Sequence, residues 1–149
     1  MAEISKVYQF LIDEFTANDL VHTITTVDTK HIDKNIENIY PLVNIDFLDT
    51  EIEEQLVICN FTISILQQRD TRPVNYSDKM IGQTNLIDNL NETHSIATRF
   101  IKVLDNNNNT SNIELVSLSK LDIKKAGRNS LDGFEFELSL SIPNEGLSC

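Results

Sequence analysis

Apolar and polar residues alternate without a slip from Phe134 to Ile142: Phe134, Phe136, Leu138, Leu140 and Ile142 are apolar, with Glu135, Glu137, Ser139 and Ser141 between them. Period two is the signature of a strand with one face on a core and one in water. Pro143-Asn144 breaks the run. A second long alternation places Val57, Cys59, Phe61, Ile63 and Ile65 on one face and Asn60, Thr62 and Ser64 on the other. Val43, Ile45 and Phe47 alternate in a shorter strand opened by Ile39-Tyr40-Pro41-Leu42. Pro41 cannot donate to a ladder, so it belongs at that strand's start or on an edge. The two runs lie close in sequence and predict an antiparallel hairpin joined by an acidic turn over 49–54.

Helical spacing appears twice. Ile4, Val7, Tyr8, Leu11, Ile12 and Phe15 share one face of a first helix that ends at Asn18-Asp19. Leu86, Leu90, Ala97, Ile101 and Leu104, supported by Ile87, Thr93 and Phe100, predict a second helix that the polar tract Asp105–Thr110 stops. The β-branched stretch Leu20–Val27 predicts a strand, and Ile113–Ile123 another. The alternation of this last strand slips near Ser117, as a bulge or bend would make it do. Loops are expected over 28–38, 67–77 and 124–133.

The order α-β-β-β-α-β-β interrupts the strands too rarely for repeated βαβ units. It predicts a single α+β domain over 1–149: a mainly antiparallel sheet of about five strands with two helices packed on one face. Phe61, Ile63, Phe136, Leu138, Leu90 and Ile101 are the expected core between sheet and helices. The two loops over 28–38 and 67–77 are long for a compact domain, and such loops are commonly functional.

Charge changes the picture. Twelve basic residues stand against 23 acidic ones, a net −11 over 149 residues. Such a chain lacks the basic surface that gripping nucleic acid or an anionic membrane requires. The start of the chain shows no basic stretch leading into an apolar run, and no stretch reaches 18 apolar residues, so neither a signal peptide nor a membrane helix is expected. Cys59 lies among strand residues and reads as a small buried hydrophobe; Cys149 is terminal.

Candidate chemistry is sparse. His22, His31 and His94 form no His-x-x-x-His or His-Glu-x-x-His pair, so no metal site is expected. The four glycines make no phosphate-cradling loop, and no nucleophile elbow occurs. No catalytic residue and no cofactor is expected. Signs do segregate, however: Asp46, Asp49, Glu51, Glu53 and Glu54 gather at the first hairpin, and Lys120, Lys124, Lys125 and Arg128 gather at the turn before the last strand. These nine are the candidate oligomer contacts; the plain alternative for both groups is solvated turns.

Ile39-Tyr40-Pro41-Leu42-Val43, Phe61-Thr62-Ile63-Ser64-Ile65, the helical Asn85-Leu86-Ile87-Asp88-Asn89-Leu90 and the terminal Phe134–Ile142 with Pro143-Asn144 and Cys149 together resemble small virion proteins of tailed phages, including crAss-like podophages. They are similar to tail terminators and neck-ring proteins. That resemblance implies a non-enzymatic structural protein of the virion, a homo-oligomeric ring in the head–tail connector. Its implied partners are adjacent portal, adaptor or tail rings, with DNA passing through the lumen unbound and no membrane contact. Two other classes fit the residues: a non-viral α+β protein-binding module without catalysis, and a small enzyme using the acidic hairpin.

Overall fold

The computed structural model describes residues 4–26, 40–68, 86–105, 113–126 and 131–143. The fold is α+β: two helices and a six-stranded, mostly antiparallel sheet. Helix α1 spans Ile4–Thr16 and α2 spans Leu86–Asp105. The strands are β1 (Thr23–Thr25), β2 (Leu42–Ile52), β3 (Leu56–Gln68), β4 (Glu114–Leu118), β5 (Asp122–Ala126) and β6 (Leu131–Pro143).

The sheet order is β1-β2-β3-β6-β4, with β5 also on β6. Its centre is the triplet β2-β3-β6, in which β3 and β6 pair over their full lengths from Leu56↔Pro143 to Gln68↔Leu131. The two clean alternations in the sequence are thus hydrogen-bonded neighbours, and their apolar faces fall on the same side. β4 and β5 are successive pieces of one edge strand along β6. The register slips between Leu115 and Ser117, where the alternation had predicted a bulge. It slips again across 119–121, where Ser119 bonds Glu137 twice: its backbone N–H donates to the Glu137 carbonyl, and its Oγ accepts from the Glu137 N–H at 2.8 Å.

Both helices cover one sheet face. Val7, Phe10, Leu11 and Phe15 of α1 and Ile96, Ala97, Phe100 and Leu104 of α2 pack with Val43, Ile45, Phe61, Ile63, Phe136 and Leu138 in one buried cluster. Leu90 and Ile101, expected in that core, are only half-buried, and Ile87 is 55% exposed. The helix is rotated from the expected face because its sheet contact runs through Asn89, Thr93, Ile96, Ala97, Phe100 and Leu104. Asn89 and Thr93 are polar, so a purely apolar count puts the stripe too far round. Asn89 Nδ2 donates to the Gln68 carbonyl and Thr93 Oγ1 to the Asn89 carbonyl, which satisfies both inside the contact. On α1, Phe10 joins the core while Ile4 is exposed.

Further expectations change: within the loop expected over 124–133, residues 124–126 belong to β5 and 131–133 to β6. Residues 49–52 are strand, not turn; the hairpin connection is only Glu53-Glu54-Gln55, closed by the Glu53 N–H on the Leu56 carbonyl. Gln67 and Gln68 belong to β3 rather than to a loop, and most of the expected loops at 28–38 and 69–77 lie outside the described residues. The second sheet face is not simply in water: Asn44 and Ser64 are fully buried, Thr62 nearly so, and Leu42, Leu66 and Leu131 form a small apolar cluster there. β1 is shorter than expected and runs parallel to β2. Pro41 lies just before β2, as expected, and its carbonyl accepts from the backbone N–H groups of His22 and Thr23.

Candidate functional site

The acidic residues of the first hairpin do not form one cluster at its tip. Asp46 sits mid-strand opposite Thr62, half-buried. Its charge acts on Tyr8, whose hydroxyl is pushed up from its usual pKa first by burial and then by Asp46, against a smaller opposing hydrogen bond from the Phe47 backbone. Asp49 accepts a hydrogen bond from Asn60 Nδ2, its strand partner. Only Glu51, Glu53 and Glu54 stand free in solvent near the turn.

A bulge decides how these carboxylates are displayed. The β2–β3 register shifts between Phe47 and Asp49, leaving Leu48 as the extra residue, 48% exposed. Before the bulge the even residues Asn44 and Asp46 share the second face. After it, Asp49 and Glu51 take that face, opposite Asn60 and Ile58. Without the extra residue their carboxylates would point to the helix side. The hairpin end also carries apolar surface: Ile52 is 72% exposed and Leu56 37%.

Lys124 and Lys125 of the basic group lie toward the other end of the sheet. Lys124 and Lys125 pair with Gly133 and Asp132 in the β5–β6 ladder, whereas the hairpin end of β3, at Leu56, pairs with Pro143. Gly133 and Asp132 pair in turn with Leu66 and Gln67 of β3, which sets Lys124 and Lys125 roughly 35 Å from Leu56 at ~3.3 Å per residue. Within one subunit Glu51, Glu53 and Glu54 therefore do not meet Lys124 and Lys125, whereas Asp46 and Lys120 lie near one level of the sheet, with β3 and β6 between them. Lys120 is exposed and its Nζ lies 3.9 Å from Asp122 Oδ1, a weak surface pair. The side chains of Lys124 and Lys125, and Arg128 altogether, lie outside the described residues.

A second basic surface was not anticipated. Leu20, His94, Ser95, Thr98, Arg99 and Lys102 line a groove of about 480 Å³ beside α2. It adjoins, through Arg99, a smaller cavity of about 210 Å³ between the helices, where Phe15, Phe100 and Val103 present apolar surface and Glu14 is the one carboxylate among the described lining residues. The hydroxyls turn back on their own helix: Ser95 Oγ donates to the Asn91 carbonyl and Thr98 Oγ1 to the His94 carbonyl. The His94 ring meets Phe134 edge-on at 5.4 Å. Arg99 and Lys102 have no acidic partner among the described residues, and Lys102 complements the helix dipole in the last turn. The spacing of His94, Arg99 and Lys102 was legible in the sequence. That Leu20 closes the groove was not, because the approach of the α1–β1 connection to α2 is a tertiary fact.

Chemistry beyond charge is limited in what is described. Among the described residues no three His, Cys, Asp or Glu side chains converge as metal ligands. Cys59 is fully buried, and burial pushes its thiol pKa up. His22 is exposed; His31 and Cys149 lie outside the described residues. No described helix is long and apolar enough to cross a membrane. Compared with known proteins, the chain matches no protein-family model and no curated protein.

Proposed function

We propose that the chain is a non-enzymatic structural subunit that assembles with itself into a ring, and that the ring belongs to the head–tail connector of a tailed phage, in the manner of tail terminators. The observation that carries the self-assembly reading is the placement of charge. Glu51, Glu53 and Glu54 at the hairpin end carry no ion pair among the described residues, and Lys124 and Lys125 lie far along the sheet from them; a second copy is where such charges would find partners. Contacts between unlike patches are heterologous, and such contacts close into rings when the rotation allows. A net −11 per subunit suits a channel through which DNA moves without sticking. The virion assignment itself rests on the sequence resemblance.

In this reading Asp46, Asp49, Glu51, Glu53 and Glu54 belong to the acidic contact surface, and Lys120, Lys124, Lys125 and Arg128 to a basic one. Solution mass tests it, measured for the chain alone and with the products of neighbouring genes. A closed stoichiometry of several copies is expected. A monomer in every combination overturns the ring.

A further inference from the structure

We propose that the groove along α2 is the seat for the β2–β3 hairpin end of a second copy of this chain. Ile52 would lie on the apolar surface of Leu20 and Val103, and Glu53 and Glu54 would meet Arg99 and Lys102. This deepens the self-assembly reading above by naming the contact, and it replaces the Lys120–Arg128 stretch as the acceptor of the acidic end.

Three observations converge on that occupant. The first is charge. In a chain of net −11, Arg99 and Lys102 lie one turn apart on one helix face, and no carboxylate pairs with either among the described residues. Glu14 lines the adjoining cavity with Arg99 yet makes no ion pair with it. Lys120, by contrast, already has Asp122 beside it. Among the described side chains, the groove thus holds basic charge left to neutralise.

The second is apolar complementarity. Ile52 is the most exposed of the large hydrophobic side chains among the described residues, at 72%, and it sits one residue before Glu53-Glu54. Leu20 and Val103 are 37% and 40% exposed at the groove and its neighbouring cavity. An apolar anchor ringed by charge on one side, and an apolar floor ringed by opposite charge on the other, is how the centre and rim of a protein interface divide their work.

The third is shape and reach. The hairpin end is a narrow two-stranded ribbon, its strands about 4.8 Å apart. It carries Glu51, Glu53 and Glu54 exposed, and none of them is ion-paired among the described residues. A groove of about 480 Å³ is large enough for the side chains of such a tip. The exposure of both surfaces within the subunit excludes docking in cis. Donor tip and acceptor groove are different patches, so each copy offers one of each, which is the arrangement a ring or an open chain requires.

The test is charge reversal with rescue, read by sedimentation velocity at low and high salt. Wild-type chain is expected to associate, more tightly at low salt. E53K/E54K and R99E/K102E should each weaken association by roughly tenfold or more, the scale of close interfacial charge pairs. The quadruple variant, with both reversals in one chain, should regain most of it. K120E/K124E/K125E should weaken association far less than R99E/K102E does. All these positions are at the surface or on an edge strand, and circular dichroism verifies that each variant is folded. Association of wild type that neither reversal weakens, or that only the Lys120 triple variant weakens, overturns the groove while leaving self-assembly standing. Wild type that stays monomeric at every concentration, alone and with the products of neighbouring genes, overturns both.

Discussion

The rings of Phe15 and Phe100 stack with centroids 4.4 Å apart and planes 29° apart, so the last turn of α1 is fastened to the middle of α2. Phe100 in turn meets Phe136 of β6 at 6.3 Å. This chain of three rings ties both helices to the central strand. At the other end of α1, Tyr8, Phe47 and Phe61 form a second triad with centroids 5.2–5.7 Å apart. The sheet that displays the hairpin is held at these two places.

Phe136 is 2% exposed and Phe100 4%. Phe136→Ala and Phe100→Ala should each cost about 3–5 kcal/mol, the range for truncating a buried aromatic. Urea unfolding followed by circular dichroism measures it, and a loss under about 1 kcal/mol would mean these rings are not core.

The rotation of α2 makes opposite demands on two isoleucines. Ile96 is fully buried and Ile87 is 55% exposed. Ile96→Ala should cost about 2–5 kcal/mol, while Ile87→Ala should stay within about 0.5 kcal/mol. Equal effects at the two positions would return the helix to the face its apolar residues alone suggest.

At Gly133 the β3 backbone leaves no room for a side chain on β6. A Cβ there would lie 1.8 Å from the Ile65 carbonyl oxygen, an atom of the ladder itself that cannot swing aside. Gly133→Ala should therefore destabilise by about 3 kcal/mol or more, beyond the ~1–3 kcal/mol of ordinary overpacking. A thermal scan of the variant that matches wild type would refute the close approach.

Cys59 should be silent to thiol reagents in the folded protein. In a Cys149→Ser background, modification should appear only as the chain unfolds, since the thiol is buried and its pKa raised by that burial. The same shift gives a pH dependence. The folded state holds the proton more tightly than the unfolded one, so the contribution to stability is complete below the ordinary thiol value, about 8.5. It is lost as pH rises from there through the folded value. Tyr8, shifted in the same direction, extends the loss above its ordinary value of about 10. Denaturant midpoints should fall on the alkaline side, and Cys59→Ala should flatten the first part of that fall.

The sequence by itself determined the two helices and the long strands β3 and β6, because their apolar periods admit one kind of element. Phe134–Ile142 and Val57–Ile65 could only be half-buried strands, and the broken phase near Ser117 marked a real bulge. The helix positions of α1 and α2 followed from the spacing of Val7, Leu11, Phe15, Ala97 and Leu104. Tertiary structure decided what local period cannot encode. The bulge at Leu48 left no break in an already acidic, mixed stretch, yet it sets which face carries Asp49 and Glu51. The polar Asn89 and Thr93 turned α2 because their partners lie in β3 and on α2's own backbone. The burial of Asn44 and Ser64 on the second face ran against an alternation that pointed them to water. The separation of acidic and basic ends became a distance only when β3 and β6 paired over thirteen residues, and the groove beside α2 existed only once Leu20 was brought up against Thr98 and Lys102. Periodicity reports how one segment meets a core; the neighbours that complete a charged surface come from distant segments, and only the folded chain brings them together.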